Sequence, residues 1–100
     1  MNKTEMLTRG RELLDEVSLG DIDLELDRAK QRAGCYHVRE RRITLSEYFV
    51  ARNDWDLVRQ TLLHEAAHAL QPYDGHGEVW KAQCRNLGIP ARRAATTASK

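Results

Sequence analysis

One hundred residues, 41% of them hydrophobic and 31% charged, fit one water-soluble domain with a modest core. Sixteen Lys and Arg against fifteen Asp and Glu leave a net charge of +1, which excludes a strong whole-protein field and leaves only local patches. No run is long and apolar enough to span a bilayer, and no signal-type apolar segment follows Lys3 and Arg9; an intracellular, cytoplasmic protein with Cys35 and Cys84 as reduced thiols is expected.

The spacing of Met6, Leu7, Gly10, Leu13, Leu14 and Val17 predicts an amphipathic helix over 2–18. Gly10 falls on its apolar side, where a missing side chain lets another element approach closely. Turn chemistry at Ser18-Leu19-Gly20-Asp21 ends the helix. Ile22, Leu24 and Leu26 then alternate with Asp23, Glu25 and Asp27, the period of a half-buried strand. A basic connection runs from Arg28 to Gly34, with room for one helical turn at 29–32. Two further strands follow, at 35–39 and 42–45, joined as a hairpin by a tight turn at Glu40-Arg41.

Ser46 is placed to cap a short helix through Val50. Asn53 or Asp54 caps a long helix over 54–71, apolar round much of its circumference and therefore buried, and Pro72 stops it. A loop at 73–77 leads into a helix over 78–87, with Val79, Trp80, Cys84 and Leu87 inward. Gly88 stands where a C-terminal cap belongs, with Pro90 beyond. Residues 91–100 lack an apolar period and are expected to be a disordered tail, which gives a domain over 1–90.

The long helix contains His64-Glu65-Ala66-Ala67-His68. Residues i and i+4 lie one turn apart on one face, so His64 and His68 can offer ring nitrogens to one metal ion. Glu65 lies about 100° round the helix, within reach of a water on that metal but poorly placed as a ligand. Downstream, Asp74-Gly75-His76-Gly77 supplies an imidazole that a turn can swing back. Three imidazoles with an open water position describe a catalytic zinc site, one Zn²⁺ per chain. In that site Glu65 is the catalytic general base and then general acid, and His64, His68 and His76 are the metal ligands. A metzincin is excluded, because Gln71 stands where that pattern requires glycine.

The chain resembles a SprT-like zinc metalloprotease domain, of the Spartan/SprT family. The likeness rests on His64-Glu65-Ala66-Ala67-His68, then seven residues, then His76-Gly77-Glu78-Val79-Trp80. A second, weaker likeness joins Arg32-Ala33-Gly34-Cys35-Tyr36 to the family's glycine turn and Ile43-Thr44-Leu45-Ser46 to its "I-x-L-S" segment. Many members continue into a zinc ribbon of cysteine pairs, whereas here a short tail follows, so the resemblance implies a minimal catalytic domain. The expected fold is α+β and zincin-like: an N-terminal helix and a short three-stranded sheet packed on the HExxH helix, plus a C-terminal helix. The expected function is a zinc-dependent endopeptidase acting on a protein or peptide, with DNA-associated proteins as candidate substrates.

The alternative is a non-catalytic zinc-binding module that contacts DNA or protein on the same scaffold; Glu65 argues against it, since a structural site gains nothing from that carboxylate. A hydrolase of non-peptide bonds would use the same residues. Arg28, Lys30, Arg32, Arg39, Arg41 and Arg42 form a local excess of positive charge that a nucleic-acid backbone can follow, though charge on a sheet edge is ordinarily solvated protection. His37 reads as a surface or structural residue. Tyr73 is a candidate for polarising a substrate carbonyl or for anchoring its loop. Trp80 reads as core that pins the His76 loop against the HExxH helix. The oligomeric state is left open.

Overall fold

The structure, a computed structural model, describes residues 1–71 and 77–88. Pro72, Tyr73, the His76 loop, Pro90 and the 91–100 tail with its boundary all lie outside the described residues. Helix α1 spans Lys3–Glu16; the Asn2 side chain caps it by accepting the Glu5 N–H at 2.7 Å. Ser18 follows in the left-handed region, at φ 67°. The Arg11 guanidinium donates to the carbonyls of Ile22 and Leu19 at 2.6 and 2.9 Å, tying this turn to the helix. Met6, Gly10, Leu13 and Leu14 are buried, but Leu7 is exposed: the apolar stripe is narrower than the spacing implies.

Strands β1 (Asp23–Asp27), β2 (Gly34–His37) and β3 (Arg42–Ser46) form one sheet in the order β1-β3-β2. β1 runs parallel to β3, Leu24 beside Ile43 and Leu26 beside Leu45; β2 runs antiparallel to β3, Gly34 beside Leu45 and Tyr36 beside Ile43. These residues therefore share one face, the apolar one. The opposite face carries Asp23, Glu25, Asp27, Cys35, His37, Arg42, Thr44 and Ser46.

Two sequence expectations are corrected here. The 28–33 connection has no helical turn, because the Asp27 carboxylate accepts the Ala29 N–H at 3.0 Å and the Ser46 hydroxyl donates to the Ala29 carbonyl at 2.6 Å. The hairpin turn is wider than two residues: β2 ends at His37, and Val38 to Arg41 make the turn, with Arg41 left-handed at φ 50°.

Helix α2 (Glu47–Arg52) starts at the Ser46 cap, and α3 (Trp55–Leu70) at the Asp54 cap. Helix α4 (Glu78–Asn86) ends with Gly88 left-handed at φ 77°. Trp80 and Cys84 are buried and Leu87 packs against the core, whereas Val79 is exposed, since it lies off the i, i+4, i+7 stripe that the other three occupy. Both thiols are free, and burial raises both: Cys35 above its ordinary range and Cys84 to about 11.

Helices α1 and α3 lie on the apolar face of the sheet. A Cβ on Gly10 would stand 2.6 Å from Leu24 Cδ2 and 3.2 Å from Leu62 Cδ2, so this glycine brings α1 against both β1 and α3. Leu14, Ile43, Leu45, Val58, Leu62 and Ala66 are fully buried between these layers, and Trp80 is fully buried where α4 packs on α3. No helix among the described residues is long and apolar enough to cross a membrane. The architecture is α+β, with an N-terminal helix, a three-stranded mixed sheet and C-terminal helices.

Candidate metal centre

Helix α3 carries the HExxH residues in its C-terminal half, with Leu62, Leu63, Ala66 and Ala67 fixing that half in the core. The small Ala66 and Ala67 let neighbouring elements close over this turn. His64 is buried and His68 half-buried, and both rings meet the indole of Trp80 from α4. The His64 ring meets it edge-on, with centroids 5.0 Å apart and planes at 73°. The His68 ring stacks on it, at 5.2 Å and 20°. One fully buried indole thus walls both imidazoles.

Glu65 faces another way. Its Cγ lies 3.3 Å from where a Cβ on Gly34 would stand, so the bare backbone at the start of β2 makes room for it. Its carboxylate accepts the Tyr36 backbone N–H, an N–H that consequently points to the outer edge of β2, unpaired with any strand among the described residues, and not to β3. Burial pushes this carboxyl up to about 7; the Tyr36 N–H and the positive charge of Arg32 pull the other way and only partly offset it. An acid so poised can both take and return a proton near neutrality.

The six basic residues are mostly paired. Arg32 bridges Asp27 at 3.2 Å, Arg42 bridges Glu25 at 3.5 Å, Arg28 approaches Glu47 at 3.9 Å, and Arg41 pairs with Asp21. No ion pair joins Lys30 or Arg39 among the described residues. His37 sits on the polar face with its Nε2 3.1 Å from the Thr44 hydroxyl.

The structure therefore brings His64, Glu65, His68 and Trp80 together and sets Arg32 near Glu65, while four of the six basic residues are ion-paired at the surface. His76 falls outside the described residues, although Gly77, the next residue, is the N-cap of α4. Among the described residues no group of three His, Cys, Asp or Glu is placed to hold a metal ion. What they supply is two imidazoles one helical turn apart against the buried Trp80 indole, a donor set that suits zinc and needs a third ligand. Sequence reasoning missed the roles of Gly34 and the Tyr36 N–H at this site. The only signal was the glycine turn preceding Tyr36.

Comparison with known proteins bears on the same residues. No curated protein matches the chain in sequence. In fold it is similar to the metallopeptidase zymogen of Methanocaldococcus jannaschii, jannalysin, with a TM-score of 0.63 at 21% identity over 86% of this chain and 81% of that one. The SprT-like family model matches residues 4–99, nearly the whole sequence including the HExxH helix, and the chain belongs to the SprT-like family.

Proposed function

We propose that this chain is a zinc-dependent endopeptidase whose ligands are His64, His68 and His76 and whose catalytic acid–base is Glu65. The observation that carries the reading is the division of labour on one turn of α3: two imidazoles turn to Trp80, and the carboxylate between them turns to the outer edge of β2. Zinc, when bound, supplies a Lewis acid that polarises the scissile carbonyl and acidifies water. Glu65 takes a proton from the attacking water and returns it to the leaving amine. An extended peptide adding as a strand to β2 would run past this carboxylate, with main-chain hydrogen bonds fixing its register. Family membership supports a protein or peptide substrate. The four ion pairs on the basic stretch leave Lys30 and Arg39 as the residues open to phosphate, so DNA is at most a secondary partner in this reading.

Glu65→Gln is the deciding variant. It keeps the side-chain volume and both imidazoles and removes the base. Zinc content stays at about one per chain and thermal stability is no lower than the parent's, while hydrolysis of an unfolded protein substrate falls by roughly 10²–10⁴-fold. Parent-like cleavage by this variant would sink the mechanism. A parent that binds zinc and a partner but cleaves nothing would instead establish the non-catalytic module.

A further inference from the structure

We infer that Trp80 is a positioning residue of the metal centre: its indole sets the ring planes of His64 and His68 and thereby tunes metal affinity. The inference rests on the ligand assignment above. An imidazole on a helix turns freely about its last side-chain bond unless something fixes its plane, and a ligand ring must aim its nitrogen lone pair at the metal. A hydrogen bond to the ring's far nitrogen is one way to fix it. Packing a rigid surface against the ring is another, and Trp80 provides it for both histidines, face-on to His68 at 5.2 Å and edge-on to His64 at 5.0 Å.

Three properties make this more than core filling. The two contacts differ in kind, so rotation of the indole would disturb both rings at once. The face of an indole is electron-rich, and an imidazole that donates its lone pair to a dication becomes electron-poor; the stacked His68 pair is therefore favoured in the metal-bound state over the metal-free one. Finally, Trp80 is fully buried and stands on the first turn of α4, whose N-cap Gly77 directly follows His76 in sequence. Its packing against α3 fixes the N-terminal end of α4, next in sequence to the third ligand.

The test is zinc affinity by chelator competition in the full chain, for the parent, Trp80→Phe, Trp80→Leu and Trp55→Phe, with helix content followed by circular dichroism. Trp80→Leu keeps apolar bulk without an aromatic face and lowers zinc affinity by roughly 10–100-fold, the loss typical of removing a ligand's supporting partner. Trp80→Phe restores a ring and recovers most of that loss, and Trp55→Phe, remote from the ligands, binds as the parent does. In the Trp55→Phe chain Trp80 is the one remaining tryptophan, and its fluorescence changes on zinc addition. Parent-like affinity in Trp80→Leu, or fluorescence indifferent to zinc, overturns the positioning role while leaving the ligand assignment intact. Should Trp80→Leu fail to fold, the Trp80→Phe affinity and the fluorescence decide. Zinc retained in full by a His64→Ala/His68→Ala chain would overturn the ligand assignment itself, and this inference with it.

Discussion

The two faces of the small sheet each hold a carboxylate that accepts a backbone N–H, and the two behave in opposite ways. On the polar face Asp27 accepts from Ala29, bridges Arg32 at 3.2 Å and takes a further hydrogen bond from Thr44. Burial pushes its carboxyl up, but these partners together outweigh burial and leave it below the ordinary aspartate range. On the apolar face Glu65 accepts from Tyr36 and feels the same Arg32, yet burial dominates and the carboxyl rises to about 7. Asp27 has two side-chain hydrogen bonds, from Thr44 and Arg32, that Glu65 lacks, and Glu65 is the more deeply buried. Depth of burial and the number of hydrogen bonds together set the two carboxyls apart.

The largest expected contrast is in packing. Leu45 and Thr44 are adjacent on β3 but face opposite sides. Leu45→Ala opens a cavity under α3 and should cost about 2–5 kcal/mol in denaturant unfolding. Thr44→Ala loses one hydroxyl shared between His37 and Asp27 and should cost about 1 kcal/mol. Equal costs would mean that the two faces are not the separate environments described.

Next comes the approach of Glu65 to β2. A Cβ on Gly34 would meet Leu45 Cδ2 at 2.7 Å and the Thr44 carbonyl at 3.3 Å as well as Glu65, and the backbone oxygen cannot swing aside as a leucine methyl can. Gly34→Ala should cost about 1–3 kcal/mol and lower hydrolysis out of proportion, by displacing the carboxylate. Gly20→Ala, where the new methyl meets only the Asp15 carboxylate at 3.2 Å, is the control, and its stability should stay within about 1 kcal/mol of the parent. If both variants hydrolyse substrate equally well, Gly34 is not what places Glu65.

The smallest and sharpest effect is in pH. For metal-free protein, Asp27 titrates lower when folded, so its stabilisation is in force above the ordinary value of 3.8 and is lost as pH falls through the folded value. Glu65 titrates higher when folded, so its stability is greatest below 4.5 and declines as pH rises from 4.5 towards 7. Denaturant midpoints measured across pH should therefore flatten on the acid side in Asp27→Asn and between 4.5 and 7 in Glu65→Gln. A Glu65→Gln profile parallel to the parent's would show that burial does not control this group.

Much of this was legible in the sequence, in proportion to how local the physics is. Helix α3 and the alignment of His64 with His68 follow from spacing along one element, and the apolar role of Gly10 from its helical position; the sequence narrowed the cap to Asn53 or Asp54, and it is Asp54. Parallel pairing of β1 with β3 was not legible, because nothing in either strand names its partner. The same omission hid the ion pairs of the basic stretch. The carboxylates that pair with Arg28, Arg32, Arg41 and Arg42 are Glu47, Asp27, Asp21 and Glu25, all outside the stretch from 28 to 42, and the fold carries them alongside it. Val79 was misjudged for a simpler reason: apolar character was weighed without its angle round the helix.

The edge strand β2 has one further consequence, for self-association. A strand left open for a peptide is equally open to the same strand of another copy, and exposed edges are where sheets fuse into aggregates. Among the described residues no strand pairs with this edge; it is only four residues long, and one of its N–H groups is already taken by Glu65. So short and partly occupied an edge offers a second copy little to pair with, while a peptide that also gains contacts at the metal centre has more to offer in exchange. The carboxylate proposed to move protons therefore doubles as a guard against the chain's own stickiness.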